Sequence, residues 1–438
     1  MSSPAETPGW AMGFRAMGSS NFRRWFIGQS ISQSGFWLQL VAQALLVLDL
    51  TNSGTLLGIV SAAQFVPMVV LGPWAGVLGD RVDKRRLLIV TQSVMMLSAV
   101  VLGVVVLAGS ATYGIVLTLA TVTGIAFALD QPSRRVIVTE LVDQDVEANA
   151  IALNSLTGNG AKVVGPALAG VLVGTVGLGW CFVLNGVSYL AVLGSLVSMD
   201  VDEIRRSPPE TSVSGMQQIR EGLGYSWRDR EIRVPLVMLS IVVAVAHNAN
   251  VLLPMLVNED FDDSAALLGL FMAVMSVGAV VGTVYVAHVA GRGPPNLAVW
   301  AIGMGVALVA LALSMNAFLI SVSAALVGVT SMVLFSSMQV GLQMQSAVAM
   351  RSRVMSLFAM AFLGGHALGA PVSGWMAEAL GVDWAIALGG FAAILTGAVA
   401  WRFLPARQRP ENVTKEALGR DRHSAHDLQP TISPEQWV

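Results

Sequence analysis

A chain of 438 residues that is 55% hydrophobic and only 12% charged, with a mean hydropathy of +0.69, departs from soluble domains, in which about a quarter of residues are charged. A soluble globular protein is therefore excluded, and a formal net charge of −2 gives no reason to expect a nucleic-acid partner. The lone cysteine, Cys181, excludes an intramolecular disulfide and a multi-cysteine metal cage.

The N-terminal stretch MSSPAETPGWAMGFRAMGSSNFRRW lacks the short apolar core and small-residue cleavage site of a removable signal, so the chain is expected to keep its start. Twelve apolar windows follow, near residues 24–48, 55–78, 87–108, 112–130, 149–174, 180–199, 235–257, 265–289, 296–315, 317–345, 354–377 and 383–404. Each is long enough to cross ~30 Å of hydrocarbon as a helix. The runs are unbroken rather than alternating, which argues against a membrane barrel. The expected fold is all-α and integral to the lipid bilayer.

Charge placement gives the orientation. Of the 25 basic residues, all but Lys162 fall in the termini or in the loops after even-numbered spans, while Asp49, Glu259, Asp260, Asp262, Asp263 and Asp383 fall on the other side. Cytoplasmic loops collect Lys and Arg, so both termini are expected in the cytoplasm. The longest connection, 200–234, carries SPPETS and then SGMQQIREGLGYSWRDREIR, which could lie as a surface helix. It separates a bundle of six helices over 1–199 from a second over 235–404, and the polar stretch 405–438 reads as a disordered cytoplasmic tail. AKVVGPALAG in the fifth span and GHALGAPVSG in the eleventh are offset by 204 residues, which pairs Gly165 with Gly369 and Gly170 with Gly374. Repeated halves around a central site are how many secondary transporters build alternating access, although small residues at such spacing also serve close helix packing alone.

GVLGDRVDKRR after the second span matches, at Gly76, Asp80, Arg81, Lys84 and Arg85, the G-x-x-x-D-R-x-x-[RK]-[RK] signature of the major facilitator superfamily, departing at Asp83, where glycine is usual. A-x-x-x-G-P-x-x-A-G over 161–170, with Gly165, Pro166 and Gly170, resembles the fifth-helix signature of the antiporter branch. NFRRWFIGQSISQSGFW, DQPSRR and NAIALNS resemble the subgroup of siderophore exporters and macrolide efflux proteins. The resemblance implies two pseudo-symmetric six-helix bundles and transport by alternating access. It also implies that Asp80 meets the start of the eleventh helix near Arg353, while Arg81 and Lys84 could pair with Asp130 or Asp143 to latch the cytoplasmic side. Alternatively, the four cations only fix topology.

Ionisable groups at membrane depth are costly and are functional candidates. Lys162, His247 and His366 lie within spans, the repeat offset aligns Lys162 with His366, and no carboxylate stands at the centre of any span. Such a site would attract an anionic or oxygen-dense ligand, such as a siderophore-like metabolite, rather than a cationic drug. Gln33 and Trp37, with Gln29 and Gln43, on the first helix, Asn154 on the fifth, and Gln339 and Gln343 on the tenth are further candidates for the lining; helix-to-helix hydrogen bonding would explain each of them equally.

No phosphate-binding loop is present, so a gradient must do the work. Neither a nucleophile and base nor a metal constellation stands at one depth, which argues against an enzyme. Proton coupling is implied by the resemblance, although Ala120 stands about where many drug antiporters carry an arginine. The expectation is proton-coupled efflux of a small organic molecule by a monomer with no cofactor. The competing readings are an uptake facilitator and a transport-inactive sensor.

Overall fold

The computed structural model describes residues 14–205, 215–261, 264–289, 295–347 and 350–403, with side chains for all of these except 73, 75–81 and 215–219. The N-terminal stretch before residue 14, the tail 405–438 and the linker residues 206–214 lie outside it, as do the side chains of Gly76, Asp80 and Arg81. Among the described residues there is no strand. The helices are α1 (Ser20–Thr51), α2 (Gly54–Arg81), α3 (Lys84–Leu107), α4 (Tyr113–Glu140), α5 (Glu147–Val176), α6 (Leu178–Val197), α7 (Gly215–Arg228), α8 (Arg230–Ala246), α9 (Ala249–Asp260), α10 (Ala265–Val289), α11 (Leu297–Ala312), α12 (Ala317–Gln345), α13 (Arg351–Leu380) and α14 (Val382–Phe403). Among the described residues eleven stretches are long and apolar enough to cross a membrane, α8 and α9 together forming one of them, and α11 is a shorter apolar helix.

Helix starts follow capping chemistry. Ser19 accepts from Phe22 N, Asp229 from Glu231 N, and Asn316 from Leu319 N, each satisfying an amide that the helix itself leaves free. Asp83, the departure from the superfamily signature, has the same duty: its carboxylate accepts from Arg86 N at 2.9 Å and caps α3.

The seventh span is not the continuous rod that its hydropathy predicts. It breaks between α8 and α9 because Asn248 Nδ2 donates back to Ala244 O at 2.8 Å and Val243 O at 3.4 Å, taking carbonyls that the next turn would have used. Helix resumes when Val251 N and Leu252 N bond Asn248 O, both at 3.0 Å. Irregular backbone is tolerated at this depth where protein covers it, and Asn248 is buried.

The ends of α2 and α4 and the starts of α1, α3 and α5 share one face, called here the terminal face. Small residues set how helices meet. The repeat-related glycines make equivalent contacts: a Cβ on Gly165 would lie 2.4 Å from Trp37 Cβ on α1, and one on Gly369 would lie 2.1 Å from Ala244 O on α8. Gly170 faces Gly269 on α10, and Gly374 faces Gly54 on α2. The first and seventh spans, and the second and eighth, therefore exchange places between halves, giving two pseudo-symmetric bundles. Exposed tryptophans ring both ends, with Trp74, Trp227 and Trp401 toward the terminal face and Trp180, Trp375 and Trp384 toward the other, as at the two interfaces of a bilayer.

The two halves meet most closely along α2 with α13 and α5 with α10. At the first seam a Cβ on Gly374 would sit 2.0 Å from Gly54 O, a backbone atom with no side-chain freedom to yield. Gly374→Ala is expected to destabilise the chain by about 1–3 kcal/mol through overpacking, read as a lowered unfolding temperature in detergent. Gly341→Ala, which meets open space, should leave that temperature unchanged or raise it.

Candidate functional site

Between the halves lies a cavity of about 510 Å³ in the terminal half of the bundle, within the range of small-molecule sites. Helix α1 contributes Gln29 and Gln33, one turn apart on one face; α4 contributes Gln131, Arg134 and Arg135; α5 contributes Asn154, Asn159 and Lys162 among others; and α12 contributes Gln339. No Asp or Glu stands among its described lining residues. Gln29 is buried, and its Nε2 has no hydrogen-bond partner.

Lys162 sits with Nζ 5.7 Å from the centroid of Trp37, a cation–π contact. Among the described residues neither Lys162 nor Arg135 has a carboxylate partner. Arg134 does. It pairs with Asp130 on the preceding turn at 2.5 Å, and Asp130, fully buried, also accepts from Thr91 Oγ1 at 3.0 Å and Gln92 Nε2 at 2.8 Å. This network of α3 and α4 fixes one cation in the cavity wall. In the sequence Arg134 and Arg135 count as topology markers and as part of the DQPSRR resemblance, not as cavity residues; the i, i+4 spacing of Asp130 and Arg134 is the available signal.

Asp130 is thus not a partner of Lys84. The Lys84 ammonium meets Glu140 at 3.0 Å, with the carboxylate buried, because Lys84 begins α3 and Glu140 ends the antiparallel α4, whereas Asp130 lies ten residues, about 15 Å, deeper. Asp143 is exposed. Arg85 donates to Leu196 O at 2.6 Å and Val197 O at 3.0 Å, tying α3 to the last carbonyls of α6. Both contacts lie within the first half.

His366, like Lys162, stands fifteen residues past the first residue of its helix. Its ring lies 5.3 Å from that of His247, which occupies the break in the seventh span. Phe335 at 4.9 Å from His247, Phe362 at 5.1 Å from His366, and Phe65 of the other half at 6.4 Å from His366 surround the pair. The structure therefore brings Lys162, Trp37, Gln33, Asn154 and Gln339 to the cavity or its wall and packs the two histidines against each other, outside the described lining. Gln343 is half-buried on α12 outside the described lining. Gly165, Pro166 and Gly170 are packing residues: Gly165 receives α1, while Pro166 O and Gly170 receive Gly269 of α10.

A carboxylate that sequence reading missed joins the two halves on the face opposite the termini. Glu378, at the end of α13, accepts from Ser53 Oγ at 2.5 Å, from Thr55 N at 3.1 Å and from Thr55 Oγ1. It thereby caps α2 from the other half. Asn258 Nδ2 donates to Asn52 Oδ1 at 3.3 Å beside it.

Residues 11–429 match the family described as transmembrane secretion effector. The chain belongs to this branch of the major facilitator superfamily. It is a multi-pass membrane protein. It is 28% identical over 252 residues to the staphyloferrin A transporter of Staphylococcus aureus, covering 57% of this chain and 62%, under two thirds, of that relative. It is 24% identical over 407 residues to the enterobactin exporter of Shigella boydii, covering 90% of this chain and 95% of the exporter. Its fold superposes on the nucleoside transporter NupG with a TM-score of 0.71 at 12% identity, over 89% of this chain and all of that one.

Removing one member of a buried ion pair leaves the other charge uncompensated, at a cost of about 3–5 kcal/mol. Asp130→Asn is expected to lose stability on that scale in chemical unfolding of the purified protein. Asp130→Asn with Arg134→Gln should lose less than the sum of the two single changes.

Proposed function

We propose that this transporter exports an oxygen-rich organic anion, siderophore-like in chemistry, from a cytoplasm into which both termini project. The observation that carries this reading is the cavity wall, where Lys162 and Arg135 lack carboxylate partners among the described residues and amides supply hydrogen bonds, with no acidic side chain in the described lining. A carboxylate or catecholate ligand would provide the missing negative charge and accept from Gln29 Nε2. The siderophore substrates in the names of two relatives agree with it. An anion leaving a negative-inside cell already gains ~2.3 kcal/mol per charge per 100 mV, so export in this direction is favoured.

Proton exchange is assigned to His247 and His366, whose rings lie 5.3 Å apart within the bundle, because no acidic side chain stands in the described lining of the cavity. Alternation requires that the seam opposite the termini open. In this reading Glu378 is the latch of that seam, and the cavity described here belongs to the cytoplasm-facing half of the cycle.

Comparison of culture supernatants from deletion and wild-type strains identifies the cargo. The expected loss is of an anionic metabolite, which proteoliposomes carrying the purified protein then move in response to an imposed pH gradient. Lys162→Ala should lower that flux about tenfold or more, the scale of one charge-assisted hydrogen bond, and Lys162→Arg should keep most of it. Full flux in Lys162→Ala, or a cationic cargo, would remove the basis of this reading.

The latch is tested separately. In a Cys181→Ser background, a cysteine placed at Ala265, which is buried against Gly170, reports opening by its labelling with a membrane-impermeant maleimide. Glu378→Ala should raise that labelling severalfold; unchanged labelling would deny Glu378 a role in closure.

A further inference from the structure

Away from the transport cavity, a second crevice of about 290 Å³ opens between the linker helix α7 and the starts of α8 and α13. Its walls are mainly apolar: Leu223 and Trp227 from α7, Leu236 and Val237 from α8, Leu357 and Met360 from α13. Ser240 also lines it, its hydroxyl donating to Leu236 O at 3.0 Å, and two further polar groups interrupt the walls. Arg233 donates through Nη1 to Trp227 O at 2.9 Å and has no carboxylate partner among the described residues. Ser226 is 1% exposed, and its hydroxyl is buried without a hydrogen-bond partner.

The crevice straddles the membrane boundary. Arg233 stands one turn into the seventh span, which begins at Arg230, and the apolar wall continues along α8 to Ser240, about 10 Å deeper by helical rise. Trp227 is exposed beside it, as a side chain at the headgroup level would be. Arg220, Arg228 and Arg230 are exposed on or next to α7, interspersed with Glu221, Asp229 and Glu231, so Arg233 is the charged group of the crevice itself. The guanidinium is tethered to the α7 backbone, which aims its remaining donors.

We infer that this crevice is a binding site for one anionic phospholipid. The phosphodiester sits on Arg233 and accepts from Ser226 Oγ, and an acyl chain lies along Leu236, Val237 and Leu357. A soluble anion would satisfy the two polar groups but leave the apolar wall empty. A zwitterionic lipid would fill the wall but bring a cationic headgroup against the arginines. The anionic lipid alone meets both halves of the site, and by tying α7 to α8 and α13 it connects the linker to the second bundle.

The test uses the full chain reconstituted with equal amounts of phosphatidylglycerol and phosphatidylcholine, and native mass spectrometry of the lipid it retains. The wild-type chain is expected to hold one phosphatidylglycerol under activation that strips phosphatidylcholine. Arg233→Gln should lower that retention about tenfold, the loss of one charge-assisted contact. Arg233→Lys should keep most of it, and Ser226→Ala should lower it less than Arg233→Gln does. Leu357→Trp, which fills the wall without touching the charge, should abolish retention. Equal retention by wild type and both Arg233→Gln and Leu357→Trp overturns the site. So does displacement of the lipid by millimolar inorganic phosphate, which would make it a site for a free anion, or equal retention of the two lipids. None of these readouts depends on the transported cargo, so the site stands or falls apart from the export reading.

Discussion

Hydrocarbon offers no partner to a peptide group, and from that constraint most of the architecture follows. Each crossing must satisfy its own backbone, so the chain is helical wherever it is apolar. Where it leaves the helix at His247 and Asn248, a side chain takes over the abandoned carbonyls. The same constraint removes hydrophobicity as a force between helices, since lipid is as apolar as a leucine. Association then depends on close backbone approach and polar contacts. The seams between the halves reflect this: Gly54, Gly374, Gly170 and Gly269 bring main chain against main chain, and the charged contribution at the seam comes from Glu378 at its edge.

The terminal face is held differently. Lys84 with Glu140, Arg85 on the last carbonyls of α6, Arg24 on Ser198 O, and Arg15 with Asp145 all join elements of the first half to one another. Arg353 with Glu221 and Tyr225 with Ala347 join the linker helix to the second. These contacts stiffen each half, and on the opposite face Glu378 and the amide pair Asn52–Asn258 reach across. Rigid halves are what rocking requires.

Hydropathy made the spans legible, the basic loops gave a sidedness, and the glycines at a 204-residue offset revealed the repeat, because each of these is written in local composition or in periodic copies. Lys162 was legible as an unusual residue at depth. The break in the seventh span was less so: the polar run HNAN was visible, but whether an asparagine bonds backward to its own helix depends on local conformation. Lys84 was assigned the wrong acid because charges near one face were matched by sign, while the register of α3 against α4 decides which of them meet. Glu378 escaped notice because its partners lie more than 320 residues away in sequence and its position just past an apolar run looks like any loop acid. Asp130 and Arg134 were four apart in plain view, and the positive-inside pattern had already accounted for the arginine.

What the cavity lacks also bears on its cargo. Arg134 is balanced by Asp130, and Lys84 by Glu140, so the fold supplies counter-charges to buried cations elsewhere. At Lys162 it supplies an aromatic face and neutral amides instead. A cation left half-solvated in a protein wall binds an anion with less desolvation still to overcome than one in open water. A fixed carboxylate there would compete with the ligand for the same ammonium. In the proposed reading, leaving the position without an acid would keep the ammonium available on each cycle, with the ring of Trp37 5.7 Å away.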